Sequence, residues 1–127
     1  MNKLKKEKGL NDFVLLEHIT EEEFMKNLKV RYEDDAIYTF IGNVVVSINP
    51  YKQLPIYTNE IIENYRARFI YELPPHIYSV ASDAHRDMNS RKRDQCIIIS
   101  GTVIILLDLF NEFNKYYNLS FFKKKIR

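Results

Sequence analysis

The sequence has 127 residues, of which 46% are hydrophobic, so it is long enough for one domain with a core and too apolar to be disordered by composition. Its 19 basic and 17 acidic residues leave a net charge of +2, which is too small a surplus to indicate a nucleic-acid-binding protein. The single cysteine, Cys96, excludes an internal disulfide and favours a reducing compartment, and its apolar neighbours predict a buried thiol rather than a nucleophile.

The N-terminal residues 1–8 are polar and basic, and we interpret them as a lead ahead of the domain. No apolar core of a secretory signal follows them. The longest apolar tract, 97–110, is interrupted by Ser100, Gly101 and Asp108 and is shorter than the roughly 20 residues that a spanning helix needs. These features predict a cytoplasmic protein.

The first helix is predicted to begin after Thr20, which can cap the amide of Glu23 while Glu23 reaches back in a capping box. Ile19 is expected to pack against Phe24 as a hydrophobic staple. The helix is expected to end near Asp34-Asp35, and its apolar face carries three residues at four-residue spacing: Phe24, Leu28 and Tyr32.

A β-hairpin is predicted next, because the β-branched and aromatic runs 37–40 and 44–48 flank Ile41-Gly42-Asn43. Pro50 has no N–H to donate and ends the second strand. Residues 49–57 then form a loop with a proline near each end.

Two further helices are predicted after this loop, over 59–69 and from Pro74-Pro75 onward, where a missing N–H is harmless. The first would bury Ile61, Ile62, Tyr65 and Phe69. The second would bury Ile77, Ala81, Ala84 and Met88. Arg91-Lys92-Arg93 is then expected to be a solvated turn.

The stretch 94–101 has four consecutive apolar residues and predicts a strand buried on both faces of a sheet. Many phosphate-binding loops begin where such a strand ends in Ser-Gly, as here at Ser100-Gly101, because glycine lets backbone N–H groups surround an anion. The following residues, Thr102–Leu107, contain no glycine, lysine or serine. The sequence therefore has the start of a phosphate-binding loop but not the residues that would complete it.

Several of these motifs follow one another in a specific order: Tyr38–Gly42, Val46–Lys52, Leu54–Tyr57, Pro75–Tyr78 and 94–101. In this order they resemble the start of a myosin motor domain, and the resemblance extends from about Gly9 to Gly101. A start near Gly9 without a preceding small barrel domain resembles the class I myosins. The amino-acid sequence of Glu23–Leu28 and of Ile37–Ser47 is most similar to that of the short-tailed ID type.

The resemblance implies an α/β fold in which the chain is an incomplete N-terminal piece of a P-loop myosin motor domain, with helices and a few strands of a mixed sheet. It divides the chain into three parts. They are the basic lead 1–8, a partial motor domain over 9–101, and a hydrophobic and basic tail over 102–127.

In the myosin family an Asn-Pro pair followed after six residues by Tyr lines the adenine pocket, and here Asn49, Pro50 and Tyr57 match it. The resemblance also places Lys52 near the base or ribose. An amide can pair with a purine edge, and an aromatic ring can pack against the base. From spacing alone, a rigid loop in which Tyr57 fills a core is the alternative. Ser100 and Gly101 are the remnant of the phosphate loop.

After that remnant the family continues with glutamate-serine-glycine-alanine-glycine-lysine-threonine, whose lysine contacts the terminal phosphates and whose threonine ligates magnesium. Here Thr102–Asp108 takes these positions. We therefore expect a fragment of an actin-based, ATP-dependent motor without ATPase activity, catalytic residues or a metal site. ATP, Mg, F-actin and calmodulin-like light chains belong to the intact, cytoskeleton-associated family, and none is expected to bind tightly here.

The tail 102–127 holds five basic and two acidic residues, and its apolar residues have helical spacing up to Tyr117. An alternative function is therefore a small interaction or membrane-surface protein that contacts acidic lipid weakly through this tail. The other interpretation of the tail is translation past an exon end or a shifted gene model. His18, His76 and His85 are scattered and predict no metal site.

Overall fold

The computed structural model describes residues 9–66 and 68–101. Its elements in chain order are a single 3-10 turn, Phe13–Leu15, then α1 (Glu21–Glu33), β1 (Tyr38–Ile41), β2 (Val44–Ser47), α2 (Asn59–Arg66) and α3 (Ile77–Arg91). These residues divide into two compact units. The first holds the described residues up to Leu54 together with Pro74–His76, and the second holds Pro55–Leu73 and the described residues from Ile77.

Helix α1 begins after Thr20 as predicted, and the Thr20 hydroxyl accepts the Glu23 N–H at 3.2 Å. The second half of the predicted capping box does not form, since the Thr20 N–H donates to His18 O at 3.2 Å. Three glutamates in the first turn also complement the positive end of the helix dipole. The Phe24 ring packs edge-on against Phe13, with 4.4 Å between the ring centroids. Ile19, the expected staple, is 69% exposed.

The buried face of α1 differs from the predicted face and shares only Leu28 with it. It carries Asn27, Leu28 and Arg31, whereas Tyr32 is exposed. Asn27 exchanges two hydrogen bonds with the backbone of Leu10, at 2.7 and 3.1 Å, and so holds the N-terminal segment along the helix. A polar side chain that satisfies a neighbouring backbone can replace an apolar one on a buried face.

The hairpin predicted from the two apolar runs is confirmed. Strand β1 pairs antiparallel with β2, and the register joins Tyr38 to Ser47 and Ile41 to Val44. Gly42 is the first of the two turn residues and has a φ of 56°, the positive value that the primed two-residue hairpin turns require at this position. Strand β1 is buried from Tyr38 to Phe40, and β2 is partly exposed.

The described sheet has only these two antiparallel strands, so the expected few strands of a mixed sheet are not found in residues 9–66 and 68–101. Asp12 adds a single parallel bridge to Phe40, whose N–H donates to Asn11 O at 2.8 Å. The α/β class holds at the level of helices beside a small sheet.

The second unit is built on α2 and α3. Its core is Ile62, Tyr65 and Tyr78, and four partly buried side chains pack around it: Tyr57, Ile61, Leu73 and Ile77. Small residues on α3 let α2 approach, and Ser82 Oγ donates to Arg66 O at 3.2 Å. Helix α2 ends at Arg66 rather than at Phe69, which is 61% exposed and does not join the buried side.

The strand predicted over 94–101 is wrong. Residues 92–100 have no regular secondary structure, Cys96 is exposed, and Ile98 is 86% exposed. A strand that is apolar on both faces forms when neighbouring strands supply hydrogen bonds and helices cover both faces. Among the described residues no strand pairs with this segment. The segment therefore does not form a strand, and the Cys96 thiol is not buried as predicted.

Candidate functional site

The candidate site is the loop that follows β2, which contains Asn49, Pro50 and Lys52. The ladder extends one bond past the strand, since Ile48 N–H donates to Ile37 O at 3.0 Å. Asn49 and Pro50 are half-buried, and the Tyr51 side chain that comes next is 87% exposed. The loop is thus anchored at the hairpin and turns outward at Tyr51.

A side-chain hydrogen bond gives the loop its form. Asn49 Oδ1 accepts the N–H of Tyr51 at 2.8 Å, which is the pattern of an Asx turn. Tyr51 has a φ of 50°, a left-handed conformation that is unfavourable for a bulky L-residue. Pro50 between them has its own φ restricted by its ring. The Asn-Pro pair therefore acts locally to impose a sharp turn.

The end of α1 holds the same loop at two points. The Tyr32 hydroxyl donates to Pro50 O at 3.4 Å, and Lys52 Nζ lies 2.5 Å from Asp35 Oδ1. Both side chains of this ion pair are about half exposed, so its contribution to stability is at most about 1 kcal/mol. Its consequence is positional, because it sets where the Lys52 ammonium lies.

Asp35 itself stands at an unfavourable position. The Asp35 N–H donates to Tyr32 O and the Ala36 N–H donates to Arg31 O, each at 3.0 Å, which is the Schellman pattern at a helix end. Asp35 has a φ of 59° at the position where glycine is preferred. Its negative charge is also the wrong sign for a helix C-terminus.

Tyr57 belongs to the second unit and is half-buried. Its ring contacts Tyr78 edge-on, with 6.2 Å between the centroids, at the margin of the core of that unit. The Tyr57 ring therefore packs at the edge of a core, and its predicted contact with adenine stays a prediction.

Ser100 and Gly101, the remnant of the phosphate loop, are exposed and do not follow a strand. The positions that would continue the loop, Thr102–Asp108, lie outside the described residues. So does the rest of the tail, with its predicted amphipathic helix and lysines, and so does the basic lead 1–8. No helix in the described part of the chain has the length and apolar character needed to cross a membrane.

Sequence reasoning missed a buried charge in the first unit, at Arg31, whose partners are on β1 and the N-terminal segment. Arg31 is 6% exposed, and burial lowers the pKa of its guanidinium from the ordinary value. The available signal was the four-residue spacing of Asn27 and Arg31, which puts both on one helix face. It was missed because polar residues are normally assigned to the solvent side.

Comparison with known proteins adds the family. The family model described as the myosin head (motor domain) matches residues 10–103. Unconventional myosin-Ig of Mus musculus is 55% identical over 95 residues, covering 75% of this chain and 9% of the mouse protein. Unconventional myosin-Ia of Homo sapiens is 55% identical over 93 residues, covering 73% of this chain and 9% of the human protein.

A relative from a third organism gives a similar result. Myosin IE heavy chain of Dictyostelium discoideum is 52% identical over 96 residues, covering 76% of this chain and 10% of that protein. The chain therefore spans about a tenth of the length of the curated relatives that it matches. It belongs to the myosin motor-domain family, and its matched part is similar to the class I unconventional myosins.

Proposed function

We propose that residues 10–103 are the N-terminal part of the motor domain of an ATP-dependent, actin-based class I myosin, and that the loop from Asn49 to Tyr57 serves the adenine end of the nucleotide. The observation that supports this is the restrained loop at the positions where the family has its Asn-Pro and Tyr motif. In such a protein F-actin and calmodulin-like light chains are the partners, and the setting is cytoplasmic and cytoskeletal.

The restrained loop suits this role energetically. A loop already held by the Asn49 oxygen and by the end of α1 loses little conformational entropy when a ligand binds. Lys52 offers a cation, and Tyr57, five residues further along the chain, offers an aromatic ring. These side chains are suited to contact a base and a ribose. They are not groups that take part in phosphoryl transfer.

For the 127-residue chain itself we propose that ATP is neither hydrolysed nor bound tightly. Residues 102–108 contain no glycine and no lysine, and Asp108 stands where the family has the threonine that ligates magnesium. Charge-assisted hydrogen bonds contribute roughly 1.5–3 kcal/mol each, so losing three or four of them leaves base contacts alone. We expect a Kd no better than about 1 mM, equivalent to roughly 4 kcal/mol.

The test compares ligands and a matched variant. Adenosine, ADP and Mg·ATP should bind the natural chain equally weakly in NMR titrations, because the phosphates find no partners. In the variant, residues 102–108 are replaced by glutamate-serine-glycine-alanine-glycine-lysine-threonine, and only the phosphorylated ligands should gain affinity. Micromolar, magnesium-dependent binding or steady hydrolysis by the natural chain would refute the proposal.

A further inference from the structure

We infer that Asn49 is a positioning residue of the proposed nucleotide loop, whose side-chain oxygen acts on the chain's own backbone to hold Tyr51 in its left-handed conformation. The inference rests on the proposed function of the loop and deepens it. It assigns to the Asn49 oxygen an intramolecular partner, and it leaves the amide nitrogen as the part of the side chain that faces a ligand.

The hydrogen bond to Tyr51 distinguishes the oxygen of the Asn49 carboxamide from its nitrogen. Tyr51 N–H is a donor, so the Asn49 atom at 2.8 Å from it must be the carbonyl oxygen. The amide nitrogen, with its two donors, consequently lies on the other side of the group. It is suited to an acceptor such as a purine ring nitrogen, whereas the oxygen is already engaged.

The left-handed conformation at Tyr51 needs such support. A φ of 50° brings Cβ of an L-residue close to its own backbone, and glycine alone adopts this region freely. The Tyr51 ring is 87% exposed, so packing of the ring does not compensate. The hydrogen bond to Asn49 acts directly on the residue that is strained.

The effect is transmitted to Lys52. Pro50 O accepts a hydrogen bond from Tyr32, and the Lys52 ammonium pairs with Asp35, so the residues on both sides of Tyr51 are tied to the end of α1. Both contacts require the chain to turn sharply at Tyr51. If Tyr51 relaxed to an extended conformation, Lys52 would leave Asp35, and the cation would no longer occupy its present place.

The test uses the full 127-residue chain labelled with ¹⁵N, and compares the wild type with three variants. Asn49→Asp keeps an oxygen for Tyr51 and removes the two amide donors. Asn49→Ala removes the side-chain oxygen and the two amide donors. Asn49→Ala combined with Tyr51→Gly removes the side chain but places at position 51 a residue that accepts the left-handed region without help.

We expect the strong intraresidue amide-to-Hα cross-peak of a left-handed residue at position 51 in the wild type and in Asn49→Asp, and its loss in Asn49→Ala. Exchange of the Tyr51 amide hydrogen should be roughly tenfold faster in Asn49→Ala, as expected from the loss of one hydrogen bond. The double variant should return the Lys52 and Asp35 resonances to their wild-type positions. A role in folding alone would not predict this rescue by glycine.

The inference is overturned if Asn49→Ala keeps the left-handed signature, if the wild type lacks it, or if Tyr51→Gly does not restore Lys52. Adenosine titrations separate this result from the proposed function. Absence of adenosine-induced shifts at Asn49 and Lys52, with the left-handed signature intact, would count against nucleotide binding by the loop and would leave the positioning role supported.

Discussion

Arg31 Nε donates to Thr39 Oγ1 at 2.8 Å, and both side chains are buried. The same guanidinium donates to Tyr38 O at 2.6 Å, to Asn11 Oδ1 at 2.7 Å and to Gly9 O at 3.4 Å. All four acceptors are uncharged, so the positive charge is stabilised by protein dipoles. This one side chain therefore joins α1, β1 and the N-terminal segment.

Arg31→Met should destabilise the chain by about 2–4 kcal/mol, because the buried acceptors on β1 and the N-terminal segment would lose their donor. That is a large fraction of the roughly 5–15 kcal/mol of an ordinary domain. The shift of the urea unfolding midpoint measures the effect. Arg66→Met is the matched control, since Arg66 pairs with Glu63 on an exposed surface and should cost less than about 1 kcal/mol. Equal midpoints for the two variants would contradict the role of Arg31.

Gly9→Ala should destabilise the same unit through steric overlap. A Cβ at Gly9 would overlap the Cγ of Arg31 and lie 3.1 Å from Asn27 Oδ1. Relief requires the segment or the Arg31 side chain to move, which we expect to cost about 1–3 kcal/mol in urea unfolding.

Gly42 provides the control for this interpretation, because a Cβ there meets nothing within 4 Å and only the φ of 56° opposes it. Gly42→Asn, which tolerates the left-handed region, should lose less stability than Gly42→Ala. Gly9→Asn should show no such relief, since overlap rather than φ is its obstacle. Equal relief at both positions would show that overlap is not what restricts Gly9.

Asp35→Gly should leave stability unchanged or raise it by up to about 1 kcal/mol, because glycine is preferred at this left-handed helix end and the unfavourable charge is removed. The change also deletes the ion pair with Lys52, which is half exposed and contributes little. Thermal unfolding measures the balance. Asp35→Asn, which keeps tolerance of the conformation, separates the charge from the backbone term. A loss above about 2 kcal/mol in Asp35→Gly would show that the ion pair is stronger than a surface pair.

The stability of the second unit should fall at high pH because of Tyr65. Burial raises the pKa of Tyr65 to about 12 from the ordinary 10.0, so the folded state holds the phenol proton more tightly than the unfolded state. The resulting stabilisation is complete below pH 10 and is lost as the pH rises towards about 12. Unfolding midpoints at several pH values between 9 and 12 should fall more steeply in the wild type than in Tyr65→Phe.

Tyr71→Phe is the control for this prediction, because Tyr71 is 68% exposed. Removing its hydroxyl should leave the steep wild-type slope unchanged. The three proteins differ only in one hydroxyl each, so contributions from the groups that they share cancel in the comparison. A slope in Tyr65→Phe equal to that of the wild type would show that Tyr65 is not the group responsible.

Features that depend on neighbours in the chain were determined by the sequence itself. Thr20 caps Glu23 three residues away, and Gly42 turns the hairpin between two apolar runs, because short separations need no tertiary partner. The order of the motifs also predicted the myosin family, which the family match confirms. The Asx turn at Asn49 is equally local and was readable from the Asn-Pro pair, but the amide was assigned only to a ligand.

Only the tertiary structure decided which polar groups are buried and which apolar ones are not. Arg31 is buried because acceptors up to 22 residues away converge on it, and a helical pattern carries no record of them. Ile98 is exposed because no described strand offers it an edge, although its neighbours have the composition of a buried strand. Burial is a property of what surrounds a residue, and periodicity reports only how a residue faces its own element.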